Sequence, residues 1–155
     1  MGKFENFVRN AGHLTDEPTV EKEGGGSHPF DERNIHPEIA RVAQKLFDNG
    51  HYSQATFETF KYIDNKVKRL SKLKENGFKL MMTAFNEANP KIKLTALSNE
   101  SEIDEQSGYR FIFAGAMSAI RNPRGHENLV DPIDLCLDHL SVASVLLRRL
   151  EKTAP

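Results

Sequence analysis

Between Pro132 and Lys152 the chain sets apolar residues around most of a helix: Leu135, Leu137, Leu140, Val142, Ala143, Val145, Leu146, Leu147 and Leu150. Such a helix has too little polar face to lie on a surface, so it must be covered on more than one side. A chain of 155 residues fits one domain. Its own core covers one side of this helix, and a second subunit is the simplest cover for the other. The remaining apolar patterning has the same period. Pro37 suits a first helical turn, Ile39, Val42, Ala43, Leu46 and Phe47 form one stripe behind it, and Asn49-Gly50 is a stop signal. A second helix starts near Tyr52 with Thr56, Phe60, Ile63, Val67 and Leu70 on one face. A third, over residues 77–87, turns Leu80, Met81, Ala84 and Phe85 inward, and Asn89-Pro90 closes it.

The fourth helix is expected over residues 103–121. Its later half is crowded with Gly108, Ala114, Gly115, Ala116, Ser118 and Ala119, small residues that let helix backbones approach closely, so it is expected at the centre of the bundle. Pro123 is expected to stop it, pushing Asn122 out of the α region and leaving Arg121 at the helix end. No segment alternates with period two over any length. The pattern therefore predicts an all-α bundle of four or five helices over residues 36–155, dimeric through its fourth and fifth helices. Residues 1–35 read differently. Phe4, Phe7, Val8 and Ala11 have helical spacing, while residues 15–27 are polar and end in Gly24-Gly25-Gly26-Ser27, a linker composition.

Composition narrows the functional classes. The net charge of −1 gives no bulk attraction for nucleic acid, so any contact with phosphate must be local. The single cysteine, Cys136, cannot form an internal bridge. The N-terminal residues lack the apolar core of a signal peptide, and the longest near-apolar run, residues 111–120, is too short to cross a bilayer. A cytoplasmic location without membrane contact is the expectation. Glycine-loop, dinucleotide, His-Glu-x-x-His and Cys-x-x-Cys signatures are absent. The six histidines show no metal spacing, so neither metal nor cofactor is expected.

One segment is different in kind. Arg121-Asn122-Pro123-Arg124-Gly125-His126 puts two guanidinium groups, an amide and an imidazole within six residues at a helix break. Arginine meets a phosphate with a planar fork of donors, and histidine titrates near neutrality. Those are the groups needed to cleave RNA without a metal. The same residues also fit a helix whose end is merely capped by Arg121 beside a loop histidine. A second basic cluster, Lys66, Lys68, Arg69, Lys72 and Lys74, closes the second helix. It reads either as a solvated end matched to the helix dipole or as an RNA contact through Lys68 and Arg69. His139, on the last helix, reads as a partly buried structural histidine.

The Arg121–His126 segment, at the end of a small-residue helix and followed by a leucine-rich one, resembles the HEPN superfamily. In that superfamily an arginine and a polar residue precede a histidine by a few positions. His36-Pro37, the run Leu46-Phe47-Asp48-Asn49-Gly50-His51-Tyr52, Ala114-Gly115 and the ending Ser141-Val142-Ala143-Ser144-Val145-Leu146 are similar to its Ymh-type branch, over residues 36–152. The resemblance implies a helical dimer with two motifs facing across a cleft, and metal-independent endoribonuclease activity. Proteins of this kind serve as toxins or as effectors of antiviral defence by abortive infection, with an antitoxin or defence-system partner. It further implies Arg121 as phosphate ligand, His126 as acid–base group, Asn122 as orienting residue and Arg124 as an added phosphate contact. Some members of the superfamily bind nucleotides or partners without chemistry, and that reading stands beside the first.

Overall fold

The computed structural model describes residues 26–153, and the helix expected around residues 4–11 lies outside them. Within the described residues there is no strand. The helices are α1 (Pro29–Glu32), α2 (Pro37–Asp48), α3 (Tyr52–Ser71), α4 (Gly77–Ala84), α5 (Glu100–Ala116), α6 (Asn122–His126) and α7 (Ile133–Glu151). A π-helical turn, Met117–Arg121, joins α5 to α6 without a break. No helix is long and apolar enough to cross a membrane, among the described residues.

Local chemistry explains most helix starts. His28 and His36 each precede a proline, and each accepts the backbone N–H two residues on at Nδ1, 3.0 Å from Phe30 N and 3.1 Å from Glu38 N. Each side chain thus satisfies a donor that the first turn leaves open, and the proline supplies the φ that the turn needs. The second nitrogen ties the start elsewhere: His36 Nε2 lies 2.7 Å from Glu151, and its backbone N–H donates to Ser144 Oγ at 3.0 Å. The first bundle helix is thereby fastened to the last. Asn99 caps α5 by accepting Glu102 N–H at 2.9 Å. Gly50, at φ +79°, makes the sharp exit from α2.

The packing places α3, not α5, at the centre: α3 contacts α2, α4, α6, α7 and the π turn. Its Phe60, Ile63 and Val67 meet a core that includes Leu80, Met81, Phe113, Met117, Leu140 and Leu147. The small residues of α5 and the π turn divide: Ala114 and Ala116 are buried, whereas Gly108, Ser118 and Ala119 lie on the outer side. Gln106, Phe113, Ala114 and Met117 face inward, whereas Gly108, Phe111, Ile112, Ser118 and Ala119 are exposed, and a Cβ on Gly108 or Gly115 would meet nothing within 4 Å. Leu70 is also outside the core, and the buried position at that end of α3 is Ser71.

Two boundaries differ from the sequence expectation. Residues 29–35, placed there outside the bundle, belong to it, because Phe30 and Ile35 are buried in its core and Phe30 packs on Phe47. Helix α4 ends at Ala84, where the carbonyl of that residue accepts the N–H groups of Lys91 and Ile92, both at 2.9 Å, and so turns the chain. The connector after it is irregular and is held by Gln106, a wholly buried amide. Gln106 accepts Leu94 N–H at 2.7 Å and donates to Phe85 and Ile92 carbonyls at 3.0 Å, meeting the backbone needs of a buried loop.

Candidate functional site

The Arg-Asn-Pro-Arg-Gly-His segment does not follow a helix end. Met117–Arg121 widens into a π turn, with Asn122 N–H donating to the Met117 carbonyl five residues back. Asn122 keeps right-handed helical angles (φ −61°, ψ −45°) although a proline follows it, and Pro123 occupies the first turn of α6. Proline has no N–H to lose at a helix start, so α6 can begin where a regular helix would have stopped. The wide turn rotates the side chains after it relative to α5, and such insertions recur at functional sites. Arg121 therefore points from inside a continuous helical rod.

Its surroundings come from three elements. From α3, the Phe57 ring lies under the guanidinium, 5.7 Å from Cζ to ring centre, and Asp64 Oδ2 stands 4.0 Å from Nη2. From the start of α4, Gly77 comes so near that a Cβ there would sit 3.9 Å from Nη1. From the motif itself, Asn122 Oδ1 accepts from Nη1 at 3.1 Å. Arg121 Nε is buried and has no hydrogen-bond partner among the described residues. Thus the arginine is held by a ring, an amide and a carboxylate, while part of its donor set stays unused.

Gly125 approaches the same ring from the other side of the motif. A Cβ at Gly125 would lie 2.7 Å from Phe57 Cε2, so glycine lets α6 lie this close to α3 without moving the ring. Phe57 is therefore the common floor under Arg121 and the backbone leading to His126. His126 itself ends α6 and is exposed. Among the described residues, no hydrogen bond or ion pair joins it to Arg121 or to any other side chain. Lys61, also on α3, places Nζ 6.0 Å from the Phe57 ring centre and adds a cation beside the site.

The other expected site residues separate. Arg124 is not available to a phosphate. Its Nε and Nη2 grip both oxygens of Asp131 at 2.6 and 2.9 Å, and Nη1 donates to the Ile120 carbonyl at 2.8 Å. Both side chains of this pair are less than a tenth exposed. Burial works against the Asp131 charge but is outweighed by the hydrogen bonds from Arg124 and Ser53, so its carboxyl is held below the usual range. The pair fastens the loop after α6, since Asp131 N–H also donates to Ser53 Oγ at 2.9 Å. His139 is half-buried near this pair. Burial first, then the Arg124 charge, pushes its pKa down and favours the neutral ring.

Lys68 lies one helical turn beyond Asp64 and donates to Asn76, the residue before Gly77, at 2.8 Å, which keeps it at the edge of the Arg121 site. Arg69 is exposed at the end of α3. Asp64 and Phe57 were not singled out from the sequence. Asp64 had a legible signal, an acidic residue inside the apolar stripe of α3 between Phe60 and Val67; Phe57 had none, since an aromatic residue on a helix usually serves packing.

His36, Glu38 and Glu151 could bring one ligand atom each to a common point. Their bonding argues against a metal there. His36 Nδ1 accepts a backbone N–H, which leaves the proton on Nε2 facing Glu151, and Lys66 already neutralises Glu38 at 3.0 Å. The cluster is a tie between α2, α3 and α7.

A family model described as "Protein of unknown function (Hypoth_ymh)" matches residues 33–150. No curated protein and no solved structure matches the chain. The matched span includes Arg121, His126, Phe57 and Asp64, and runs from before α2 to the last turn of α7.

Proposed function

The chain belongs to the Hypoth_ymh family, and we propose that it is a metal-independent endoribonuclease of the HEPN kind, acting in the cytoplasm as a toxin or antiviral effector. The observation that carries this reading is Arg121: a guanidinium with unused donors, 22% exposed, braced by Phe57, Asn122 and Asp64, on the same short helical rod as an exposed histidine. A phosphodiester bound at Arg121 has its non-bridging oxygens neutralised by a fixed cation. The neighbouring 2′-OH loses its proton to a neutral imidazole and attacks phosphorus, and the 5′-oxygen leaves with a proton from an imidazolium. The products are a 2′,3′-cyclic phosphate and a 5′-hydroxyl.

The reaction needs one imidazole to take a proton and another to give one, or a single imidazole in two successive roles. A second copy supplies the second His126. The exposed face of α5 at Phe111 and Ile112 continues through Ser118 and Ala119 of the π turn that holds Arg121, and exposed Val142 and Val145 lie on α7. A dimer through α5 and α7 covers apolar surface that otherwise faces water. Lys61 and Lys68 beside the site, with Arg69 exposed at the end of α3, are the cations that would steer an RNA backbone to a protein of net charge −1.

The test is cleavage of total and transfer RNA in excess EDTA by wild type and His126→Ala, each first matched for dimer mass and helical content. Cleavage by wild type alone is the expected result. Equal cleavage by both removes His126 from the chemistry. One observation favours a second reading: among the described residues His126 has no side-chain partner to fix its ring, which suits a binding cleft that holds nucleotide or RNA without cutting it. Saturable RNA binding with no cleavage by either protein, weakened by Arg121→Lys, would establish that alternative.

A further inference from the structure

Asp64 sits at the position of α3 where the apolar stripe should continue, after Phe60 and Ile63 and before Val67. Its side chain is 2% exposed. A carboxylate in such a place needs compensation, from hydrogen bonds or from an opposite charge. One oxygen has its compensation: Oδ1 accepts Gly77 N–H at 2.7 Å, at the start of α4. The other, Oδ2, faces Arg121, and Asp64 is the one carboxylate within 4.0 Å of that guanidinium among the described residues. Gly77 takes φ +60°, which a side chain would resist, and a Cβ there would be in ordinary van der Waals contact with Nη1.

Arg124 shows what a structural arginine in the same helix looks like. Its Nε–Nη2 edge is closed onto Asp131 by two short hydrogen bonds. In Arg121 the equivalent Nε is buried without a partner and Nη2 stays just beyond hydrogen-bond reach of Asp64. The carboxylate is close enough to set the angle of the guanidinium and too far to occupy it.

We infer that Asp64 is the positioning residue of the site: its buried carboxylate, fixed by Gly77 N–H, aims the Arg121 guanidinium across Phe57 so that Nη1 and Nη2 meet a phosphate. The inference rests on the reading of Arg121 as the phosphate ligand. It assigns Asp64 no contact with RNA and no proton transfer. Asp64→Asn separates this role from a merely structural one, because an asparagine oxygen still accepts from Gly77 N–H while the charge facing Arg121 is gone.

The experiment uses the full chain and two readouts. The first is the arginine Nε–H region of a proton–nitrogen correlation spectrum, with the Arg121 signal assigned by Arg121→Lys. The second is cleavage of transfer RNA in EDTA. Wild type should give an Arg121 Nε–H signal that exchanges slowly. Asp64→Asn should keep wild-type helical content but lose or broaden that signal, with cleavage falling about 10- to 100-fold, as expected when a charge-stabilising group is misplaced by an ångström. A sharp Arg121 signal or full cleavage in Asp64→Asn overturns the inference. If that variant unfolds, wild type decides: Arg121 Nε–H exchanging as fast as that of exposed Arg69 overturns it as well. If wild type cuts no RNA while its Arg121 signal still depends on Asp64, the positioning role stands and the ribonuclease reading fails.

Discussion

Arg121 and Arg124 lie three residues apart in one helical rod, yet the fold uses them for opposite purposes. Arg124 is enclosed and bonded at all three nitrogens, with Asp131 and the Ile120 carbonyl as partners. Arg121 is braced on its sides by a ring, an amide and a carboxylate at 4.0 Å, and keeps donors free. The difference is set by what each helix face meets. Arg124 turns toward the loop that returns the chain to α7, whereas Arg121 turns toward α3 and the start of α4. A buried arginine with a complete set of partners stabilises a fold; a half-buried one with an incomplete set is available for a ligand.

Breaking the stabilising arginine should have the largest effect on the fold. Arg124→Ala leaves Asp131 as an uncompensated buried charge and should cost about 3–5 kcal/mol, read as a fall in the urea midpoint. Arg121→Lys, which keeps a cation opposite Asp64, should leave that midpoint nearly unchanged while weakening RNA binding, if Arg121 holds phosphate as proposed. If the two variants lost similar stability, the division of roles between the arginines would be wrong.

Gly125→Ala tests the floor that the two halves of the motif share. The added methyl meets Phe57 Cε2 at 2.7 Å, so the ring or α6 must give way. Overpacking of this kind costs about 1–3 kcal/mol, and the displaced ring should also shift the Arg121 Nε–H signal. Unaltered stability together with an unaltered signal would show that Phe57 does not couple the two.

Acidification should give the smallest and most gradual change, and two of the groups that carry it, Asp131 and His139, lie beside Arg124. Asp131 is held below its ordinary carboxyl value, so its contribution is complete above that ordinary value and is lost as pH falls through the lower folded one. His139 is also held low, by burial and by Arg124; its contribution is present above about 6.5 and declines as pH drops from there toward its folded value. Chemical denaturation between neutral pH and pH 3 should show a shallow loss first and a steeper one in acid. In Arg124→Ala the acid step should shrink, because the partner that holds Asp131 ionised is gone.

The helices were legible because apolar spacing and punctuation agree along the chain. Ile39, Ala43 and Phe47 are buried together, Asn49-Gly50 ends α2, and Leu80, Met81, Ala84 and Phe85 all face inward. The small residues of α5 misled because size says how closely a neighbour could approach, not whether one is there. Gly108 and Gly115 have open space where a second helix was expected. The break at Pro123 misled for a related reason. A proline removes one donor and crowds the preceding turn, and a π turn absorbs both without ending the rod.

For the site, the sequence by itself determined the chemical inventory: an arginine, an amide and a histidine within six residues, on a protein with no net positive charge to bind RNA in bulk. It also determined the all-α class, since a period of 3.6 leaves no other way to bury those stripes. Only the tertiary structure decided which arginine is free. That choice depends on Asp64 and Phe57, some sixty residues earlier, and on Asp131, seven residues later across a turn. A side chain's donors are engaged or open according to what the packed backbone brings within about 3 Å, and no local pattern of residues encodes that distance.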